Sequence, residues 1–131
     1  MIDDEVAEIL ADRTDDGERL NQLADEFRCG REVSQLAVLL DSKNPEFVSV
    51  GAWILGELSF ELYRSDDLIS RLRSLTGHVD PAVRFHALVA LFPALDSMDA
   101  SARELLRRLL CDPNDGVRRA AQAAASRLSL K

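Results

Sequence analysis

Three segments of this 131-residue chain repeat one pattern, and that repetition limits the fold more than any other feature. A polar residue and a proline stand together at Asn44-Pro45, Asp80-Pro81 and Asp112-Pro113. A valine follows each pair, at Val48, Val83 and Val117, and an alanine lies four residues further on, at Ala52, Ala87 and Ala121. With the valines taken as equivalent, the spacing is 35 and then 34 residues. Asn and Asp cap helix N-termini, and proline fits the first helical position, where no N–H is needed. An alanine one turn inside such a helix lets a neighbouring helix come close. A period of this size marks stacked helical units, because one helix pair cannot bury its apolar stripe alone.

Apolar residues recur at three- and four-residue spacing along most of the chain, which argues helix over strand. Val6, Ile9 and Leu10 predict a first helix ending near Arg13. Leu20, Leu23, Ala24 and Phe27 predict a second from about Asp16 to Arg28, with Gly30 suited to a left-handed C′ position. Val33, Leu36, Ala37, Leu39 and Leu40 mark a third. A fourth runs from Pro45 to about Leu62, the longest of the set. Ser65 caps a fifth that Gly77 ends, and Asp80 caps a sixth that Pro93 stops or kinks near Phe92. Ser101 with Glu104 forms a capping box for a seventh, with Asp99 as a competing cap. The eighth starts near Asn114-Asp115 and reaches about Leu128. The expected fold is all-α, a short solenoid of about four antiparallel helix pairs in one domain over residues 1–131. Residues 1–30 form a divergent capping pair, and 31–64, 65–98 and 99–131 are the repeats.

The run Asp80, Val83, Arg84 and Ala87 resembles the Asp-x-x-Val-Arg-x-x-Ala core of HEAT repeats. It recurs as Asn114, Val117, Arg118 and Ala121, and in weaker form around Val48 and Ala52, where Ser49 stands at the usual arginine position. The resemblance covers roughly residues 31–130 and is specific to architecture. It implies an Asp–Arg ladder between repeats, with Arg84 and Arg118 as its candidates. It also implies a concave face lined by the second helix of each pair and a role in binding other proteins. HEAT-like proteins also include DNA glycosylases and chromophore lyases, so nucleic-acid binding and lyase chemistry stand as alternatives.

Charge bears on the choice of partner. The chain carries 16 basic and 23 acidic residues, a net charge of −7, with a sequence pI near 4.8. Residues 1–30 alone hold ten acidic and three basic side chains, whereas 99–131 hold four acidic and seven basic. An acidic chain is repelled by phosphate backbones and anionic membranes, which disfavours both as partners. Met1-Ile2-Asp3-Asp4-Glu5 is acidic where a secretion signal is basic, no stretch is long enough to span a membrane, and the expected location is the cytoplasm.

Catalytic and metal-binding patterns are weak. His78 and His86 are the only histidines, no His-x-x-x-His or Cys-x-x-Cys occurs, and no activated nucleophile is indicated. Cys29 and Cys111 fall about three repeats apart, too far for a disulfide, and read as small buried hydrophobes left as free thiols. Glu57 and Glu61, four apart on the predicted fourth helix, share a face that reads as a solvated or partner-facing stripe. Gly51 and Gly56 on that helix read as sites of close helix packing. No enzymatic activity, cofactor or metal is expected.

Surface residues beside the core stripes supply the binding candidates. On the fourth helix these are Val50, Trp53, Glu57 and Glu61. The sixth offers Phe85, Val89 and Phe92, and the eighth offers Arg119. Apolar anchors rimmed by carboxylates suit a protein partner with a basic surface. The reading is a protein–protein interaction module, monomeric when free, acting as an acidic inhibitor in the manner of an immunity protein or as an adaptor in a larger complex.

Overall fold

The computed structural model describes residues 1–96 and 99–128. Helices, the 3-10 turns included, make up 75% of the described residues, and no strand occurs among them. The helices are α1 (Ile2–Ala11), α2 (Glu18–Arg28), α3 (Leu36–Leu40), α4 (Pro45–Glu57), α5 (Phe60–Tyr63), α6 (Asp66–Leu75), α7 (Pro81–Leu91), α8 (Ala100–Leu110) and α9 (Asp115–Arg127). A 3-10 turn at Val33–Gln35 leads into α3, and another at Phe92–Ala94 follows α7 where Pro93 forbids a further helical turn.

Pairing follows the repeat. α3 packs on α4, α6 on α7, and α8 on α9, while α4, α7 and α9 pack successively on one another. α1 lies against α3 and α4 and closes one end. One apolar core runs through all the pairs, from Val6 and Phe27 through Leu36, Leu39, Leu55 and Leu72 to Leu88, Leu106 and Val117.

Local chemistry explains the helix starts. Asn44 Oδ1 accepts the Glu46 N–H at 3.0 Å, Asp80 Oδ1 accepts that of Ala82 at 2.8 Å, and Asn114 Oδ1 accepts that of Val117 at 3.1 Å. Asp99, rather than Ser101, caps α8 through the Ser101 N–H at 2.9 Å, which leaves the Ser101 hydroxyl free to accept from Arg73 at 2.9 Å. Gly30 follows α2 with φ +116, the left-handed conformation that glycine adopts without strain.

Structure and sequence expectation part at four places. The equivalent caps are Asn44, Asp80 and Asn114, so the spacing is 36 and then 34, and Gly51, not Ala52, matches Ala87 and Ala121. A Cβ built on Gly51 would lie 2.9 Å from Leu39 Cβ, so α3 and α4 meet where even alanine does not fit. By the same register Val48, fully buried, replaces the arginine of the later repeats.

Secondly, α4 ends at Glu57, because Leu58 turns to extended backbone (φ −91, ψ 155) and buries its side chain, and α5 begins after Ser59. Thirdly, Leu62, which helical spacing from Leu55 and Leu58 puts on the core face, is exposed, while Tyr63 is fully buried with its hydroxyl donating to the Ala90 carbonyl at 2.8 Å. Fourthly, Cys29 and Cys111 are free but exposed, not buried. Each sits at the C-cap of its helix, past the last turn of the apolar stripe.

Candidate protein-binding face

The turns that enter α4, α7 and α9 share a device. In each, the residue two before the cap accepts the cap's own N–H: Ser42 Oγ from Asn44 at 3.1 Å, His78 Nδ1 from Asp80 at 3.0 Å, and Asp112 Oδ1 from Asn114 at 2.9 Å. Three chemically different side chains thus fix the approach of the three equivalent helices. Arginine forks then tie neighbouring pairs. Arg71 on α6 grips Asp41, in the turn before α4, through Nε at 2.9 Å and Nη2 at 3.1 Å. Arg84 on α7 grips Asp112 through Nε at 2.8 Å and Nη2 at 2.9 Å, while its Nη1 donates to the His78 carbonyl at 2.9 Å. Arg118 makes no such fork. Its Nη1 donates to the Asp112 carbonyl at 2.8 Å, and it pairs with Asp115. At the N-terminal end Arg31 joins Glu5 of α1 at 3.1 Å and Glu26 of α2 at 3.0 Å.

With α4, α7 and α9 held side by side, their outward faces form adjoining grooves. One, of about 290 Å³, lies between α7 and α9, lined by Phe85, Leu88, Val89, Phe92, Ala123 and Arg127 among others. A second, of about 230 Å³, lies between α4 and α7 and is lined by Trp53, Gly56, Glu57, Phe85, His86 and Val89. A third, of about 280 Å³, lies where Leu10 and Leu20 meet the starts of α4 and α7, lined also by Glu46, Val50, Trp53, Asp80 and His86. Phe85 and Val89 are shared by the first two and Trp53 and His86 by the last two, so the three make one continuous face.

Five of the residues picked from sequence, Trp53, Glu57, Phe85, Val89 and Phe92, come together here. Val89 is 43% exposed; Trp53, Phe85 and Phe92 are half-buried. Val50 is only 8% exposed and belongs to the floor of the third groove, since the buried arc of α4 is wider than expected and takes in Val50 and Ile54 beside Val48, Ala52 and Leu55. Glu61 is exposed on α5, off the face, because α4 stops before it; it does not share a helix with Glu57. Arg119 is exposed on α9, in line with Ala123 and Arg127 at four-residue spacing. His86, to which the sequence assigns no role, also lines two of the grooves. It stacks edge-on against Phe85 at 5.2 Å, and burial pushes its pKa below the ordinary 6.5.

A larger open basin of about 680 Å³ on the turn side contains His78, Arg84, Arg108, Cys111 and Asp112. Its polar groups are largely engaged in holding the repeats together, with Arg108 Nη2 donating to Thr76 Oγ1 at 3.0 Å. Among the described residues no His, Cys, Asp or Glu side chains cluster as metal ligands, and no helix is long and apolar enough to cross a membrane.

Stacked helix pairs joined by short capped turns, with the second helices packed in series, define an α-helical repeat solenoid. The family model for HEAT repeats matches residues 33–126, and the chain belongs to that family. Neither a curated protein nor a solved structure matches it. Repeats of this family generally mediate protein–protein interaction and typically serve as non-enzymatic scaffolds.

Proposed function

We propose that the protein is a non-enzymatic binding module, an acidic binder or inhibitor of a basic partner protein in the manner of an immunity protein, with the α4–α7–α9 face as its contact surface. The observation that carries this reading is the continuous face on which Trp53, Phe85, Val89 and Phe92 stand half-open to solvent beside Glu46, Glu57 and Asp80. Aromatic anchors of this kind supply the energy of protein interfaces, and rim carboxylates steer a basic partner. The net charge of −7 adds long-range attraction. Three of the six arginines near the C-terminal end are engaged, Arg107 with Glu104, Arg108 with Thr76 and Arg118 with Asp115, which favours protein over nucleic acid as the partner. In this reading α1 and α2, residues 1–30, cap the array, and the monomer works in the reducing cytoplasm, where exposed Cys29 and Cys111 stay as thiols.

Photo-crosslinking in extracts of the source organism tests it. A crosslinking amino acid at position 89 should capture one protein of basic pI, with less capture at high salt. The same group at exposed Arg103 on α8 should capture none of it. Capture from position 103 alone, or of an acidic protein or nucleic acid from position 89, would overturn the reading.

A further inference from the structure

The linings of the grooves specify what kind of segment fits them. The α7–α9 groove is walled by Phe85, Leu88, Val89, Phe92 and alanines of α9, and Arg127 is its one side chain with a hydrogen-bond donor. The α4–α7 groove adds only the Trp53 indole and the His86 imidazole as donors. An extended segment laid there would press unpaired backbone carbonyls and amides against hydrocarbon, which is costly. A helix satisfies its own backbone and offers only side chains.

Spacing agrees. The two grooves are one helix-to-helix distance apart, ~10 Å for packed helices. Seven residues of helix rise ~10.5 Å and return to the same face. A β-strand presents the same face only every ~6.6 or ~13 Å. The face is also electrically polar. Glu46, Glu57 and Asp80 lie at its α4 end and the start of α7, while Arg119 and Arg127 stand along α9.

From these features we infer that the face receives one amphipathic α-helix of the partner, laid across α4, α7 and α9. Its apolar stripe fills the two grooves at positions seven apart. Its basic residues lie at the end over Glu57 and its acidic residues at the end over Arg119 and Arg127. Crossing two helix spacings takes roughly 20 Å, or about 13 residues of helix. The inference deepens the proposed binding role and rests on it for the choice of face.

The test uses a display library of random 16-residue peptides, selected on the intact protein and counter-selected on the variants Val89→Asp and Ala123→Asp. Both positions are exposed, so the variants should keep the parent's circular dichroism and melting temperature. Enriched peptides should show apolar residues at i, i+3 or i+4, and i+7, with Lys or Arg gathered at one end and Asp or Glu at the other. A synthetic copy should gain helical ellipticity on binding and shift the emission of Trp53, the chain's single tryptophan. Val89→Asp should weaken it at least tenfold. Enrichment of proline-rich or alternating patterns, or of nothing beyond the counter-selected background, would overturn the inference. The two readings fail separately. A basic partner captured at position 89 alongside a failed peptide selection leaves the binding role standing without the helix. Helical peptides alongside capture elsewhere leave the groove preference standing without the role.

Discussion

Arg84 and Asp112, 28 residues apart, meet as a two-pronged fork in which both carboxylate oxygens are held under 3 Å from the guanidinium. Asp112 also accepts the Asn114 N–H, so one carboxylate joins α7 to the turn that launches α9. Burial works against its charge. The Arg84 fork, the Asn114 N–H and the nearby Arg118 charge outweigh burial and hold its pKa below the ordinary 3.8. Glu5 is likewise held below 4.5, chiefly by hydrogen bonds from Arg31.

A lowered carboxyl pKa in the folded state means that the unfolded chain takes up protons first. Stability is therefore full above the ordinary values and is lost as pH falls through the folded ones. Asp112→Ala should cost about 2–4 kcal/mol at pH 7, since Arg84 loses its partner while nearly covered. Urea unfolding at pH 7 and at pH 3 checks this. The gap between parent and variant should narrow at pH 3, and an unchanged gap would remove the fork as its source.

Glycine substitutions in α4 should split by position. Alanine is favoured over glycine in a helix by about 1 kcal/mol. At position 56 a Cβ would make ordinary contact, 3.4 Å from Val89 Cγ1, so Gly56→Ala should stabilise by up to about 1 kcal/mol. At position 51 the Cβ would meet Leu39 Cβ at 2.9 Å, so Gly51→Ala should destabilise, by about 1–3 kcal/mol. Thermal melts of the pair check it, and two stabilising substitutions would show that α3 yields easily.

These two positions also show where sequence reasoning stops. Helix starts were legible because Asn44, Asp80 and Asn114 advertise caps, and the stop at Pro93 because proline cannot continue a helix. The end of α4 was not, because Leu58 carries no breaking signal and is drawn out of the helix by its place in the core. The register of the first repeat misled because Val48 resembles Val83 and Val117, although caps counted alone give Gly51 as the partner of Ala87. The shared turn device was invisible because serine, histidine and aspartate fill one role. Most of the proposed binding face was legible from stripes beside the core. Val50 and Trp53 were separated only by packing, because the width of the arc that α4 buries decides which of them lies beneath the surface.

His86 should add a second pH limb. Its ring lies among Trp53, Phe85 and Val89, with Glu46, Asp80 and Glu57 lining the same grooves, and burial lowers its pKa. For a histidine lowered on folding, the unfolded chain protonates first, so stability begins to fall as pH drops through 6.5 and continues to the lower folded value. Melting temperature followed from about pH 8 to about pH 5 should show this decline, and His86→Leu should flatten it. A decline of equal size in the variant would assign it to other groups.

Both thiols should react in the native state. Cys29 and Cys111 are exposed beyond the ends of α2 and α8, so a thiol reagent should titrate two groups without denaturant. Reaction of neither until the chain is unfolded would place them in the core after all.

Binding should divide the two carboxylates that sequence spacing places together. Glu57 lines the α4–α7 groove beside Trp53, whereas Glu61 stands on α5 outside it. Rim charges act mainly on association, and their effect fades as salt screens them. Glu57→Lys should therefore slow association with the crosslinked partner, most strongly at low salt, while Glu61→Lys should leave the rate nearly unchanged. Glu57→Lys also breaks the exposed ion pair with Arg28 at 3.6 Å, but a surface pair adds little to stability, so both variants should melt like the parent. Trp53→Ala should act on dissociation instead. In the proposed interface its half-buried indole is the anchor, and its loss should cost about 2 kcal/mol or more of affinity. Surface plasmon resonance on the three variants separates these effects. Equal slowing by Glu57→Lys and Glu61→Lys would indicate long-range attraction by net charge, and full affinity in Trp53→Ala would move the contact off the α4 end of the face.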